Sequence, residues 1–220
     1  MKISELSERS GVPVATVKFY IREGMLPRGE AVSATRAEYG DEHLTRLRVI
    51  AALTDVRGLP LARVREVLAL IDEPTGDPVE ILGRAVGALP PYVTTERDDY
   101  PLARAAIADL GLTYDPDFTA VAQLDEALRA LDAAGLDASP AVLRRYGDAM
   151  RQVAAAELAP MTGMRLDEAV TYAVLGTALY EPVMLALRRL AHHHQLVEGT
   201  AVGGRTPLSA FGDPAGDETR

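Results

Sequence analysis

Apolar residues recur at helical spacing along most of the chain. Near the N-terminus this pattern predicts two short helices, the first ending at about Ser10 and the second running from Pro13 to about Glu23. Gly11 and Val12 supply a tight turn between them. A short helical pair of this kind is the pattern of a helix-turn-helix, whose second helix enters the major groove of DNA.

Residues 27–39 have no helical period and contain proline and small residues, which predicts a hairpin or wing loop. Two more helices are expected after it, one opened by Asp41 and ended by Gly58, and one running through Ile71. The segment DEPTGDP at 72–78 breaks the pattern and is the predicted domain boundary.

Five further helical patterns follow this boundary, near 79–88, 101–110, 117–134, 140–158 and 166–197. Pro182 is expected to kink or break the last of them. The sequence therefore predicts a mainly all-α protein. Its parts are a winged helix-turn-helix DNA-binding head with a small β-wing (1–72), an all-helical domain for dimerisation, effector or partner binding (73–198), and a flexible tail (199–220).

Charge is distributed unevenly, although the 220 residues carry a net charge of −9. Residues 1–72 hold 11 Lys and Arg against 10 Asp and Glu, a net charge of +1, whereas the rest holds 12 against 22, a net charge of −10. Any contact with DNA phosphates is therefore expected in the head. No signal peptide and no apolar run near about 18 residues is visible, which favours a cytoplasmic protein that does not cross a membrane.

The second helix has two chemically different faces at about 100° per residue. Val14, Val17 and Ile21 share the inward face. The opposite face presents a set suited to DNA: Ala15, Thr16, Lys18, Phe19 and Arg22. Thr16 can bond a base or phosphate, Phe19 can meet thymine methyls or sugars, and the two cations can neutralise phosphates. The alternative is that Phe19 packs under a loop and the cations only solubilise the surface.

Three ordered blocks of sequence bear on the choice between DNA contact and a merely solubilising surface. They are ISELSERSGVPVATVKFYIREGMLP, EYGDEHLTRLRVIAAL and RGLPLARVREVL. Together they resemble the MerR family of transcriptional regulators over about residues 2–71. The resemblance implies that Thr16, Lys18, Phe19 and Tyr20 occupy recognition-helix positions that touch DNA. It also implies wing contacts to backbone phosphates, from Arg28, Arg36 and Tyr39.

The chain departs from the family pattern at two places. Ile21 replaces the usual acidic residue after the aromatic pair, and Arg36 stands three residues before Tyr39 where the family commonly has two. The resemblance further implies a homodimer that bends and untwists double-stranded promoter DNA so that RNA polymerase can engage it. The family usually dimerises through a long helix directly after the head, but 72–78 interrupts that region, so dimerisation is expected either at 79–88 or on the rear helices.

The effector, if one exists, is expected to be organic, because cysteine is absent and with it thiolate metal ligands and thiol redox sensing. The consecutive His192, His193 and His194 point in three directions from a helix, so no metal site is predicted. In the apolar run 166–187, Tyr172, Tyr180 and Glu181 are candidates for a pocket that holds an amphipathic molecule, cations included. The alternative is that Glu181 pairs with an arginine, or bonds the backbone freed by Pro182, while the tyrosines are core.

Enzymatic function is not expected, because the sequence has no Gly-rich phosphate loop, no metal-ligand spacing and no nucleophile elbow. No catalytic residue and no cofactor is therefore predicted. Two other classes remain open: a small-molecule binding or sequestration protein with incidental DNA binding, and a DNA-architectural protein without an effector. The long rear region argues against the second.

Overall fold

The computed structural model describes residues 1–33, 36–93, 97 and 99–197. It contains two compact units, Met1–Ala178 and Leu179–Arg220. The predicted flexible tail, 199–220, lies outside the described residues. Of the second unit, the structure therefore describes the helical residues 179–197.

The head has the predicted helices and hairpin. Its elements are α1 (Ile3–Ser10), α2 (Val14–Arg22), β1 (Glu30–Ser33), β2 (Arg36–Glu38), α3 (Asp41–Ala51), a π-helical turn (Ala52–Val56) and α4 (Leu61–Asp72). The two strands are antiparallel, with Glu30 opposite Glu38 and Ser33 opposite Arg36, and the register shifts between them. The fold class predicted for the head is confirmed.

Five more helices follow in the described residues, as the apolar periodicity predicts. They are α5 (Pro78–Gly87), α6 (Pro101–Asp109), α7 (Thr119–Ala133), α8 (Pro140–Leu158, continued by a 3-10 turn Ala159–Met161) and α9 (Leu166–Val197). Three of them begin with proline, whose fixed φ suits the first helical turn, where its missing N–H has no partner to lose. The all-helical character predicted for the rear is confirmed.

Pro182 does not break α9, so the part of the expectation that concerns a break is wrong. The helix runs through Pro182 without interruption. Proline removes only the N–H that would bond the carbonyl of Ala178, and the turns on either side keep their own hydrogen bonds. A loss of about 3 kcal/mol is tolerated in a helix of 32 residues.

The main core joins residues from both sides of the predicted boundary at 72–78. Val49 and Leu53 of the head region pack in one apolar cluster with Ile81 of α5 and with Val170 and Val174 of α9. The loop after α4 thus separates helices without separating two cores. The reason is that the first half of α9 supplies an apolar stripe, spaced four residues apart, that completes the core of the head.

The composition of α9 differs from the sequence expectation. Contrary to the expectation, α9 is long and apolar enough to cross a membrane by length and composition alone, although Val170, Val174 and Ala178 of its first half are buried in protein.

In α7, the fully buried Asp125 carboxylate accepts the backbone N–H groups of Leu102 and Ala103 at 3.0 and 3.1 Å. It thereby caps the start of α6.

The charge of Asp125 is also compensated, because Arg129 Nε donates to it at 2.7 Å. Burial by itself raises the pKa of Asp125, but the hydrogen bonds from Ala103, Arg129 and Leu102 outweigh burial and hold that pKa below its usual value. Asp125 is thus a buried anion that ties α7 to the first turn of α6.

Candidate nucleic-acid interface

The turn between α1 and α2 is held by side chain to backbone hydrogen bonds. The Ser7 hydroxyl donates to the carbonyl of Val12 at 2.6 Å, and the Val12 N–H donates to the Ser10 hydroxyl at 3.2 Å. Gly11 has φ of 72°, a left-handed conformation that other residues adopt only with strain. The turn therefore fixes the direction in which α2 leaves α1.

The inner side of α2 contacts two apolar clusters. Val17 is buried in the cluster formed with Leu6, Leu26, Tyr39, Leu44 and Leu47, and Ile21 packs against the same cluster. Tyr20 packs against this cluster and against the main core. Ile21 stands where MerR-like sequences commonly have an acid, and here that position contributes to packing.

The outer side of α2 carries a narrow exposed strip. Ala15, Lys18 and Arg22 are exposed and lie three and four residues apart, within one side of the helix. Thr16, beside them, is half-buried. Lys18 and Arg22 therefore form a cationic edge with a small residue at one end, which allows a groove or backbone to approach closely.

Phe19 is not the fully outward residue that the angular pattern predicts. It is half-buried and packs against the main core, with the guanidinium of Arg22 at 5.4 Å from its ring centroid. A long side chain on a short helix can lie back over a neighbouring core, which helical angles alone do not reveal. The structure thus agrees in part with the alternative in which Phe19 packs.

Tyr20 likewise lies toward the interior, beside the π-helical turn. Burial raises the pKa of the Tyr20 hydroxyl, the Asp55 carboxylate raises it further, and a hydrogen bond with Thr54 lowers it in part. Its ring is 5.8 Å from that of Phe19. The position that the resemblance assigns to DNA contact is therefore a half-buried one in this chain.

The hairpin presents one exposed cation at its start, Arg28. At the adjacent Gly29, a Cβ atom would lie 2.5 Å from the carbonyl oxygen of Glu38, so only glycine lets the two strands approach this closely. Arg36 lies in β2, and its side chain is outside the described part of the structure.

Tyr39, proposed from the resemblance as a phosphate contact, is only 9% exposed. Its ring packs edge-on against His43 at a centroid distance of 5.1 Å. Its backbone N–H donates to the carbonyl of Met1 at 2.9 Å, and its carbonyl accepts from the Met1 nitrogen at 2.8 Å. Tyr39 therefore anchors the end of the hairpin to the body of the head.

The recognition helix is held in position by two arginines that the sequence did not reveal. Arg46 Nε donates to the carbonyl of Met25, in the turn that follows α2, at 2.8 Å, and its two terminal nitrogens donate to Asp72 at 2.7 and 2.6 Å. Arg65 of α4 donates to Glu23 at 2.6 Å. No periodicity marks these pairs, since each joins residues more than 20 positions apart.

Of the three proposed effector residues, Tyr172 belongs to the first unit, and Tyr180 and Glu181 belong to the second. Tyr172 lines a cleft of the first unit. In the second unit, Tyr180 is exposed and Glu181 is half-buried on α9. His192, His193 and His194 are exposed, and among the described residues no three His, Asp or Glu side chains are grouped to hold a metal.

The geometry defines a class: a helix-turn-helix with a cationic outer strip and an adjoining hairpin is the head of a DNA-binding protein. Comparison with known proteins agrees, since residues 1–71 match the model of the MerR HTH family of regulatory proteins. The chain belongs to the MerR family, whose members are DNA-binding transcription regulators and not enzymes.

Two relatives extend this assignment. The HTH-type transcriptional regulator ZntR homolog of Haemophilus influenzae is 30% identical over 70 residues, which are 32% of this chain and 51% of that protein. The chain thus spans about half the length of this curated relative. The crystal structure of SCO5550 from Streptomyces coelicolor A3(2), described as a candidate transcriptional regulator, is 30% identical with a TM-score of 0.68. That match covers 90% of this chain and 97% of the other.

Proposed function

We propose that the protein is a sequence-specific regulator that binds promoter DNA as a homodimer, with α2 in the major groove and the hairpin against the backbone. The observation that supports this most directly is the exposed strip of Ala15, Lys18 and Arg22 on the second helix of the motif. The near-neutral head and acidic rear also favour DNA contact by the head alone.

The contacts differ in kind along this surface. Lys18 and Arg22 would neutralise phosphates, Thr16 would bond a base edge or phosphate, and Ala15 would permit close approach. Arg28 and Arg36 would contact the backbone beside the hairpin. The half-buried rings, Phe19, Tyr20 and Tyr39, would hold these groups in place and offer at most an edge to the DNA.

The proposed dimer forms through the second half of α9. Leu179, Val183, Leu187, Leu190 and Val197 are all exposed and, with Tyr180, lie within an arc of about 100° on one side of the helix. Spacings of three and four residues are those at which helices of two chains interdigitate. Glu181, Arg188 and Arg189 lie on the other side and disfavour burial of this half of α9 inside a bilayer, so we prefer a second copy as the partner.

Binding of two heads to an inverted repeat would let the dimer bend and untwist the promoter for RNA polymerase. Such a regulator works in the cytoplasm, where MerR-family proteins are soluble. An organic effector is included in the proposal, because the rear region is far larger than DNA binding requires and has no cysteine to hold a metal.

Footprinting and salt titration of the full chain test the DNA contacts. We expect a protected inverted repeat in its own or a neighbouring promoter. Lys18→Ala should weaken binding and reduce the slope of log K against log salt by about 1.8, the value for two lost phosphate contacts, one in each protomer of the dimer. Arg145→Ala removes an equal charge from the exposed surface of α8 and serves as the matched control.

The assignment of the DNA contacts is wrong if Lys18→Ala leaves the salt slope unchanged, or if Arg145→Ala lowers the slope equally. The assignment as a DNA-binding regulator is wrong if no promoter fragment is protected. In that case tight binding of small molecules without promoter affinity would favour the sequestration protein.

A further inference from the structure

A cleft of about 660 Å³ lies in the first unit, between the head and the start of α9. The head contributes residues of α3 and the end of α4, and the other wall comes from residues 164–175. A volume of this size suits a small organic molecule. The cleft contains Tyr172 and is separate from the DNA-facing strip on α2.

The floor of the cleft is apolar. Val49 and Ile71 are buried core residues whose surfaces reach it, and Met164 and Leu175 add half-buried side chains from the opposite wall. Tyr172, also half-buried, contributes an aromatic ring. An inorganic ion would make no use of this floor, whereas a hydrocarbon body would be removed from water by it.

The rim of the cleft carries four carboxylates and one arginine. Two of the carboxylates are compensated, since Arg46 binds Asp72 and Arg165 binds Asp167 at 3.1 Å. Glu168 accepts the backbone N–H of Arg165 at 3.2 Å, and Glu42 lies 2.8 Å from His43. In the described part of the chain neither of these two pairs with a lysine or arginine, so the rim retains negative charge.

We infer that the cleft binds an organic cation with an aliphatic or aromatic body. The body packs on Val49 and Ile71, and the positive group lies toward Glu42 and Glu168. Tyr172 is placed to add a cation–π contact, which an aromatic ring offers to a quaternary ammonium group. This assigns a site and a ligand class to the effector.

The cleft also contains the arginine that holds the end of the recognition helix. Arg46 joins the carbonyl of Met25, after α2, to Asp72 on the rim. A positive group held at Glu42 and Glu168 lies in the same cleft as the Arg46 guanidinium, repels it and thereby changes the support of α2. The coupling between the cleft and DNA binding rests on the proposed function, whereas the binding of the cation to the cleft does not depend on it.

Ligand-observed NMR titration of the full chain tests the site, with phenyltrimethylammonium and its neutral isostere tert-butylbenzene as probes. We expect the cation to bind at least about tenfold more tightly, since a charge pair near a protein surface is worth several kcal/mol before solvation costs. Equal binding of the two probes would overturn the proposal.

Three variants locate the site. Glu168→Gln keeps an acceptor for the Arg165 N–H but removes the charge, so binding of the cation should weaken about five- to tenfold with an unchanged melting temperature. Glu80→Gln, at an exposed position of α5 outside the cleft, should have no effect. Tyr172→Phe should retain affinity, because it keeps the ring, and Tyr172→Leu should lose it. Equal effects of Glu168→Gln and Glu80→Gln would overturn the assignment.

Promoter affinity measured with and without saturating phenyltrimethylammonium then tests the coupling. We expect it to change about fivefold or more, the scale of ordinary allosteric coupling. Cation binding with an unchanged promoter affinity would remove the coupling step and leave the site. Absence of promoter binding under both conditions would overturn the proposed function, while the NMR result stands independently.

Discussion

The first unit and the second half of α9 use the same kind of residue in opposite ways. In the first unit, apolar residues at helical spacing, such as Leu6 and Val17, are buried against one another. In the second half of α9, Leu187 and Leu190 have the same spacing but are 59% and 61% exposed. Periodicity alone does not distinguish the two.

The difference in exposure distinguishes apolar side chains that pack within the chain from apolar side chains that do not. A stripe of exposed apolar residues is costly in water and commonly marks a contact with another protein. The core of the first unit is buried within the chain, whereas the stripe on α9 is exposed among the described residues. We therefore expect substitutions in the two regions to separate into effects on folding and effects on association.

The largest effect is expected from Leu187→Asp combined with Leu190→Asp. Two charges in each stripe would put four unpaired carboxylates into the proposed dimer interface, and the dissociation constant should rise at least about 1000-fold. Sedimentation velocity over a concentration series measures this change. Promoter affinity should fall with it, because one head holds only half a site.

Leu185→Asp is the control, since Leu185 is 55% exposed on α9 but lies outside the stripe. It should leave the chain dimeric. If Leu185→Asp dissociates the protein as fully as the double variant, the interface does not follow the stripe.

Leu6→Ala should have the next largest effect, this time on folding. Leu6 is fully buried in the cluster under α2, and truncating a buried leucine costs about 3 kcal/mol of unfolding free energy. Urea unfolding should show a lower midpoint with an unchanged slope. Leu185→Ala, the matched truncation on α9, should change the free energy by less than about 0.5 kcal/mol. Equal costs would mean that the two regions are packed alike.

Helix positions were largely predictable because prolines and glycines mark their ends. Pro101 opens α6 as expected, and Pro140 opens α8. Apolar period and end signals are local, so a single chain displays them without knowledge of its fold. The helix-turn-helix was predictable for the same reason, and the ordered family blocks reinforced it.

Contacts between distant segments were not predictable. Phe19 packs inward because a core formed partly by α9 lies beside it, and Arg46 meets Asp72 across 26 positions. The cleft brings Glu42 and Glu168 to one rim, although they are far apart in sequence. Helical angles give the direction of a side chain from its own axis, but they carry no information on which other helix lies there.

A polar contact that closes the first unit gives the third prediction, Asp125→Asn. Asparagine keeps an acceptor for the N–H groups that start α6 but loses the charge that binds Arg129. We expect a cost of about 2 kcal/mol at pH 7, typical of hydrogen bonds to charged groups. Asp117→Asn, at an exposed position, should cost little.

The cost should depend on pH with a defined sign. Burial raises the pKa of Asp125, yet the hydrogen bonds hold it below the unfolded value of 3.8. The stabilisation is therefore fully present above pH 3.8 and is lost as the pH falls through the lower folded pKa. Urea unfolding at pH 7 and at pH 3 should show the gap between wild type and variant narrowing in acid. A constant gap would contradict the role of the charge.

The smallest effect is expected for Val79→Gln, which tests whether exposure by itself marks an interface. Val79 is 77% exposed on α5, more than any stripe residue, but it lies in the first unit and not in the stripe. Single exposed apolar residues are common and gain nothing from association. Unfolding free energy should change by less than about 0.5 kcal/mol, and sedimentation should stay dimeric. The result also distinguishes α5 from α9 as the helix of the dimer interface, since MerR-like proteins usually dimerise directly after the head, where α5 lies. Dissociation by Val79→Gln, with the double variant at Leu187 and Leu190 still dimeric, would move the interface from α9 to α5.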